Sequence, residues 1–447
     1  MKKILVLFFF ISTLSYAQYS IKGVMQPAEK FSWVLLYKIE GAKEIYVKNT
    51  QVKKEGKLGV FEFILPSNTK VGSYRIRFAM KKNGFIEFLF NKENIEFEFN
   101  PKDPENTMSY KKSKENKLFN SFFTDISSIQ FKIDSLQKVY FKKPDNITKE
   151  SYKIWVDRLQ KTKKEYLQKS QKTLVYQFVK AGDRYNSPKI LENPEEYRST
   201  SLDHFFDHID FSNKVLYNSS FLIKKILDYV FHINYSENIE IQKKQYRKAS
   251  KIVLNKIKEL PFKADIIELL ISQFAAIKNA EMVDHLLVDY FDRLPIENQN
   301  SLFKKNILAK MSIAIGRIAP DFSWEENGKQ LRLSELKDGL NYLLIFYSTE
   351  CSHCLREVPE VFEFMKGKVN TKVIAFAMET SEKTWLNYHH KMSGWHHVLG
   401  LEKWSNPIAR AYQINATPSY FILGMDKKII STPQNIEDLK LVLEQLN

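Results

Sequence analysis

The chain of 447 residues contains two cysteines, Cys351 and Cys354, so neither a disulfide framework nor a four-cysteine zinc site can be built from it. Whatever these thiols do, they do as one pair. Glycine is also scarce, with 14 in all and only Gly182 between Lys111 and Met311, which argues against a turn-rich β architecture for that stretch. Beyond the N-terminus no apolar run approaches the roughly 20 residues that a spanning helix needs. What the chain does have is 33 Phe, 22 Tyr and 6 Trp within a 44% hydrophobic composition, enough for large cores and incompatible with global disorder. At roughly 150 residues per domain the length suggests about three domains.

The first residues are Lys2-Lys3, an apolar run from Ile4 to Leu14, and Ser15-Tyr16-Ala17, the three parts of a secretory signal peptide cleaved after Ala17. Gln18 stands where a lipoprotein would need cysteine. Residues 1–17 are therefore read as a signal peptide. The mature protein is expected to be soluble and periplasmic or otherwise exported, in a compartment where disulfides persist.

Apolar residues alternate with polar ones in Phe61-Glu62-Phe63, Tyr74 to Phe78, Phe85 to Phe88 and Ile95 to Phe99, with a turn at Asn83-Gly84. Residues 18–108 are expected to form an antiparallel β domain. From 109 to 312 the period changes to three or four, the mark of a helical domain. Residues 313–447 alternate strand-like runs (Leu343 to Tyr347, Val373 to Phe376, Tyr420 to Leu423) with helical ones, an α/β pattern. The expected fold class is multidomain α+β.

The formal net charge of +16 is uneven: residues 313–447 carry −1 and the front part +17. A basic surface can attract nucleic acid, but export and the lack of any nucleic-acid motif argue against that partner. Lys161, Lys163, Lys164, Lys169 and Lys172 read as a solvated helix face.

Cys351-Ser352-His353-Cys354 follows directly on the strand-like run Tyr342 to Tyr347, and Leu355, Val358, Phe362 and Met365 continue at helical spacing. Cys351 is thus expected at a helix N-terminus, where unpaired N–H groups and the helix dipole favour a thiolate. Cys354, one turn further in, can attack a mixed disulfide on Cys351 and release the substrate. Cys351 is the expected attacking cysteine and Cys354 the resolving one.

These residues, with Gly316 to Phe322, Gly328, Leu331 to Leu336, Pro359 and Ala416-Thr417-Pro418-Ser419 in the same order, resemble the exported TlpA/ResA-like thiol-disulfide oxidoreductases of the thioredoxin superfamily. The resemblance covers about residues 313–447. It implies a thioredoxin-like fold, a cis proline at Pro418 against the cysteine pair, and a substrate strand paired with the backbone of Thr417. It also implies a helix kinked at Pro359 and a carboxylate, Glu357, that exchanges a proton with Cys354. Ser352 and His353, between the cysteines, complete the expected substrate-contacting set with Thr417. The segment Phe205 to Phe211 is similar to extensions of unknown function carried by TlpA-like proteins of some Gram-negative bacteria.

The chain departs from the pattern in places. Glu350 replaces the tryptophan that often precedes the first cysteine, and its charge opposes a thiolate next door. Ile345 replaces the buried acid of many thioredoxins. A histidine at position 353 works the other way, stabilising the reduced form.

Three rival chemistries can be weighed. Two thiolates and a histidine can bind zinc or copper, but neither His389-His390 nor His396-His397 has a fixed spacing to Cys351, and no metal is expected. His204 and His208, spaced i and i+4, fit an amphipathic helix face. A peroxidase loop would have proline and threonine where Leu344 and Ser348 stand. A purely structural disulfide does not suit a helix-start pair followed by a Thr-Pro turn.

The reading is therefore an exported thiol-disulfide oxidoreductase, acting by resemblance as a reductase of disulfide-containing envelope proteins. No cofactor is expected. A membrane-bound thiol donor would have to recharge the pair. The alternative is a client- or envelope-binding protein whose main function lies in the front domains, with the redox pair accessory.

Overall fold

The computed structural model describes residues 18–28, 30–80 and 84–446; the expected signal peptide and Asn83 of the expected turn lie outside them. The architecture is multidomain α+β. The chain divides into two compact units, one ending at Ile267 and one beginning at Glu268.

The first unit opens with nine strands: β1 (Gln18–Met25), β2 (Trp33–Glu40), β3 (Lys43–Gln51), β4 (Lys53–Glu55), β5 (Leu58–Pro66), β6 (Gly72–Arg77), β7 (Phe85–Phe90), β8 (Ile95–Phe99) and β9 (Ser109–Lys112). They form two sheets, ordered β4-β5-β1-β8-β9 and β3-β2-β6-β7. The alternation read in the sequence is the alternation of burial. Phe61, Phe63, Ile95, Phe97 and Phe99 of one sheet share a core with Leu36, Tyr74, Ile76 and Phe88 of the other. One pairing departs from the antiparallel expectation: β1 runs parallel to β8, with Ile21 opposite Ile95.

Two long helices follow, Lys114–Lys142 and Asn146–Lys169. Ser113 and Asp145 cap them by accepting from the N–H groups of Asn116 and Thr148. Their apolar stripes meet through Ile129, Ile133 and Tyr140 against Tyr152, Val156 and Leu159. Lys163 is not on a solvated face. It lies one turn after Leu159 and one before Tyr166 on the buried stripe, and is buried in an ion pair with Asp183. The histidines at 204 and 208 do not share a helix face either, because the helix Pro194–Asp203 ends before them. His204 stacks on Tyr185 with ring centroids 4.1 Å apart, while His208 reaches Asp183 at 3.2 Å.

The second unit contains the hairpin β10 (Ser323–Glu326) and β11 (Lys329–Arg332), then β12 (Asn341–Tyr347), β13 (Thr371–Glu379), β14 (His396–Leu401), β15 (Ser419–Gly424) and β16 (Ile429–Ser431). The five strands β12–β16 make one sheet in the order β14-β13-β12-β15-β16. β14, β13 and β12 are mutually parallel, whereas β15 and β16 run antiparallel to their neighbours. Both faces are covered, which is why β12 reads as an unbroken apolar run rather than an alternation. Tyr342, Leu344 and Phe346 enter one core; Leu343, Ile345 and Tyr347 enter the other, with Cys354, Val358 and Val361 from the helix Ser352–Met365. Pro359 lies inside that helix.

Gly400 of β14 is where the sheet has least room. A Cβ there would stand 2.2 Å from the ring of Phe376 on β13. Gly400→Ala is therefore expected to destabilise the domain by about 1–3 kcal/mol, read as a lowered midpoint in urea.

Candidate active site

β12 carries the chain out of the core at Tyr347, and Ser348-Thr349-Glu350 turn it into the helix Ser352–Met365. The Cys351 N–H donates to Ser348 O at 3.2 Å, closing the turn. Cys351 is the N-cap: its Sγ accepts from the Cys354 N–H at 3.3 Å, the place usually taken by a serine or aspartate oxygen. A sulfur so placed faces the donor groups and positive end of the helix.

The two thiols, both unpaired, have different surroundings. Cys351 is half-buried, and its Sγ–H donates to Thr417 O at 3.4 Å. Burial raises its pKa, but hydrogen bonds from the Cys354 and Thr417 side chains and from the N–H groups of Cys354 and His353 outweigh that, so the net direction is down. Cys354 is 1% exposed, packed with Val358 and Tyr347. Burial, followed by its hydrogen bond with Cys351, pushes its thiol up to about 12. The outer sulfur ionises first and is the one a substrate can reach.

The loop before β15 closes over this pair through the cis Thr417–Pro418 peptide, and Thr417 O is the group that touches Cys351. Ser352 and His353 are exposed at the helix start. The His353 imidazole lies 2.8 Å from the Arg356 guanidinium, on the helix surface. Glu357 lies one turn beyond His353 and accepts from Tyr420 Oη at 3.3 Å. Tyr420 sits in the same core cluster as Cys354, so the carboxylate meets the inner thiol's surroundings through a phenol.

Three further residues go unremarked in the sequence reading. Glu379, the last residue of β13, is completely buried; it accepts from the Thr349 N–H at 2.6 Å and from Ser348 Oγ at 3.5 Å. A carboxylate closing the apolar run Val373 to Met378 is its one visible mark. Lys403 pairs with Glu350, and Trp404, half-exposed, lies beside it. Together with Ser348, Glu350, Cys351, Met378 and Thr417 they line a cavity of about 170 Å³ on the Cys351 side.

Among the described residues no cluster of three or more His, Cys, Asp or Glu side chains is arranged to hold a metal ion. His396, the residue of its pair nearest to such a set, is held between Glu326 at 2.9 Å and Asp338 at 3.4 Å. No helix among those residues is long and apolar enough to cross a membrane.

Residues 315–432 match the AhpC/TSA family. The thiol-disulfide oxidoreductase ResA of Geobacillus thermodenitrificans is 28% identical over 142 residues, 31% of this chain and 80% of its own. ResA of Bacillus subtilis is 25% identical over 149 residues, 33% of this chain and 82% of its own. The C-terminal domain is thus a thioredoxin-like domain of AhpC/TSA type, similar over its length to thiol-disulfide oxidoreductases. Among solved structures, the thioredoxin domain of a thiol-disulfide oxidoreductase from Bacteroides vulgatus aligns at 21% identity and TM-score 0.27, covering 30% of this chain and 99% of that one. A thioredoxin-like protein from Bacteroides caccae aligns at 17% identity and TM-score 0.29, covering 59% of this chain and 98% of that one. Within this domain, the cysteine pair, the Thr417–Pro418 loop and the Glu357–Tyr420 contact all lie at one end of the sheet.

Proposed function

We propose that the protein reduces disulfides in exported proteins, with Cys351 as nucleophile and Cys354 as resolving thiol. The observation that carries this reading is the asymmetry of the pair: a half-buried sulfur with a lowered pKa at a helix N-terminus, backed by a buried thiol that keeps its proton. The Cys351 thiolate attacks one sulfur of a client disulfide; the client S–S bond breaks and its other sulfur leaves as a thiolate that takes a proton from water. Cys354 then loses its proton and attacks Cys351 Sγ. The second client thiol departs, and Cys351 and Cys354 are left as a disulfide. Two electrons have passed to the client. Ser352, His353 and the backbone of Thr417 border the sulfur and form the surface against which the client chain lies.

The attacking step should speed up as pH rises and level off once Cys351 is ionised, below the ordinary thiol value of about 8.5. The resolving step needs a base, because Cys354 holds its proton to about 12. We assign that base to Glu357 acting through Tyr420, whose phenol is bonded to the carboxylate and packs in the same core as Cys354. Tyr420→Phe is therefore expected to leave the attack unchanged and slow resolution at least about tenfold at neutral pH, with recovery at alkaline pH. Acid-quenched samples separated on non-reducing gels measure the two steps independently.

The leader Lys2 to Ala17 supports export, and an exported reductase needs a membrane-bound thiol donor to return its disulfide to dithiol. Insulin reduction, and the equilibrium of the Cys351/Cys354 couple with glutathione, test the direction. A potential near about −270 mV is the result expected of a reductase, and one near about −120 mV would reverse the direction proposed.

A second role, binding of clients by the front domains, is favoured by β3, an edge strand on which Ile45, Tyr46 and Val47 are all exposed. Replacing both cysteines by serine separates the roles: a cellular phenotype that survives the double replacement belongs to the front domains.

A further inference from the structure

The Glu350 carboxylate stands one residue before the sulfur that must ionise, and by itself it would disfavour a thiolate there. In the folded domain it is not by itself. Lys403 Nζ pairs with Oε2, and Thr380 Oγ1 donates to Oε1 at 3.1 Å. Glu350, Lys403 and Cys351 line the same cavity. Lys403 reaches this place on unusual backbone: Glu402 and Lys403 are consecutive non-glycine residues in the left-handed region, with φ of 71° and 45°. Ser405 N–H to Glu402 O at 2.9 Å, Asn406 N–H to Lys403 O at 3.1 Å and Asn406 Nδ2 to Leu401 O at 2.9 Å pin the turn. Strain of this kind persists where the surroundings over-determine it, and it clusters at functional sites.

We propose that Lys403 is a positioning residue for disulfide exchange: its ammonium neutralises Glu350 beside Cys351, so that the helix N-terminus rather than the neighbouring carboxylate sets the field at the sulfur. The inference rests on Cys351 being the attacking thiol. Among the described residues, the other charged groups near the sulfur are engaged elsewhere. The His353 side chain is engaged with Arg356 on the outer helix surface, Glu379 is buried under Thr349, and Glu357 is bonded to Tyr420. Cys354 stays protonated. The pairing with Lys403, and then with Thr380, also holds the Glu350 carboxyl below the usual carboxylate range. Half-exposed ion pairs of this sort contribute little to stability, so the lysine can be removed from a protein that still folds.

The test uses the full reduced chain as Lys403→Met, Glu350→Gln and the double variant. The readouts are the pH dependence of Cys351 alkylation by iodoacetamide and of thiolate absorbance in the ultraviolet. Lys403→Met is expected to move the Cys351 titration to higher pH and to slow alkylation at neutral pH by roughly three- to tenfold, the effect of one uncompensated charge on the wall of the same partly exposed cavity. Glu350→Gln should not slow it, and the double variant should recover the parent's profile. A Lys403→Met profile that superimposes on the parent's, or a double variant as slow as Lys403→Met, overturns the proposal. Insulin reduction by the parent is scored separately. A parent that fails to reduce insulin overturns the function proposed above, and the titrations still decide the role of Lys403.

Discussion

Replacing Cys354 with serine is expected to turn the protein into one that seizes its client and keeps it. Cys351 retains its place at the helix cap and its lowered pKa depends in part on the backbone N–H of residue 354, which serine preserves. Attack therefore continues and the mixed disulfide forms. What disappears is the second thiol held one helical turn away, whose effective concentration no external thiol matches. Turnover on insulin should fall on the order of a hundredfold or more. A client–enzyme adduct, sensitive to reductant, should accumulate on non-reducing gels. Cys351→Ser should form no adduct. An adduct formed by Cys351→Ser and not by Cys354→Ser would exchange the two roles.

The second large effect concerns Glu379. Its carboxylate is completely buried and serves as acceptor for the Thr349 N–H at 2.6 Å, two residues before the attacking sulfur. Glu379→Ala leaves that part-buried N–H without its partner and opens a hole where a buried side chain stood, which should destabilise the domain by about 1–3 kcal/mol. The same change frees the turn that aims Cys351, so alkylation of Cys351 should slow in parallel. Glu379→Gln keeps an acceptor for Thr349 and should recover most of the lost stability. Urea unfolding of the three proteins separates the cases; an alanine variant as stable as the parent would show that the turn does not depend on this bond.

How far the sequence discloses these features follows from how local each one is. The run Tyr342 to Tyr347 signals a strand covered on both faces, and the cysteine spacing with Leu355, Val358, Phe362 and Met365 signals a helix beginning at Cys351, because all of that lies within consecutive turns of chain. The period-two patterns of β5 and β8 are legible for the same reason. The parallel pairing of β1 with β8 is not, since alternation gives the face of a strand and not the direction of its neighbour. Lys163 misleads because charge usually marks a solvated face, whereas here Asp183 meets it on the buried stripe. Glu350 could be recognised as unfavourable to a thiolate, but its compensation lies 53 positions away in Lys403, and the acceptor for Thr349 lies on a different strand. Such pairings are made by the sheet order, which no local pattern encodes.

The sheet order carries one more consequence. The working end of the domain is gathered from four stretches, around residues 348–357, 378–380, 402–404 and 417–420, and β15, which begins at Ser419, inserts between β12 and β16, the last strand to pair with β12. A polypeptide still in synthesis therefore carries both sulfurs before the groups that surround them have been made. Thr417, the carbonyl that touches the outer sulfur, and Tyr420, the phenol on Glu357, arrive last. The surroundings that distinguish the two sulfurs therefore exist only once β15 has been made and has entered the sheet.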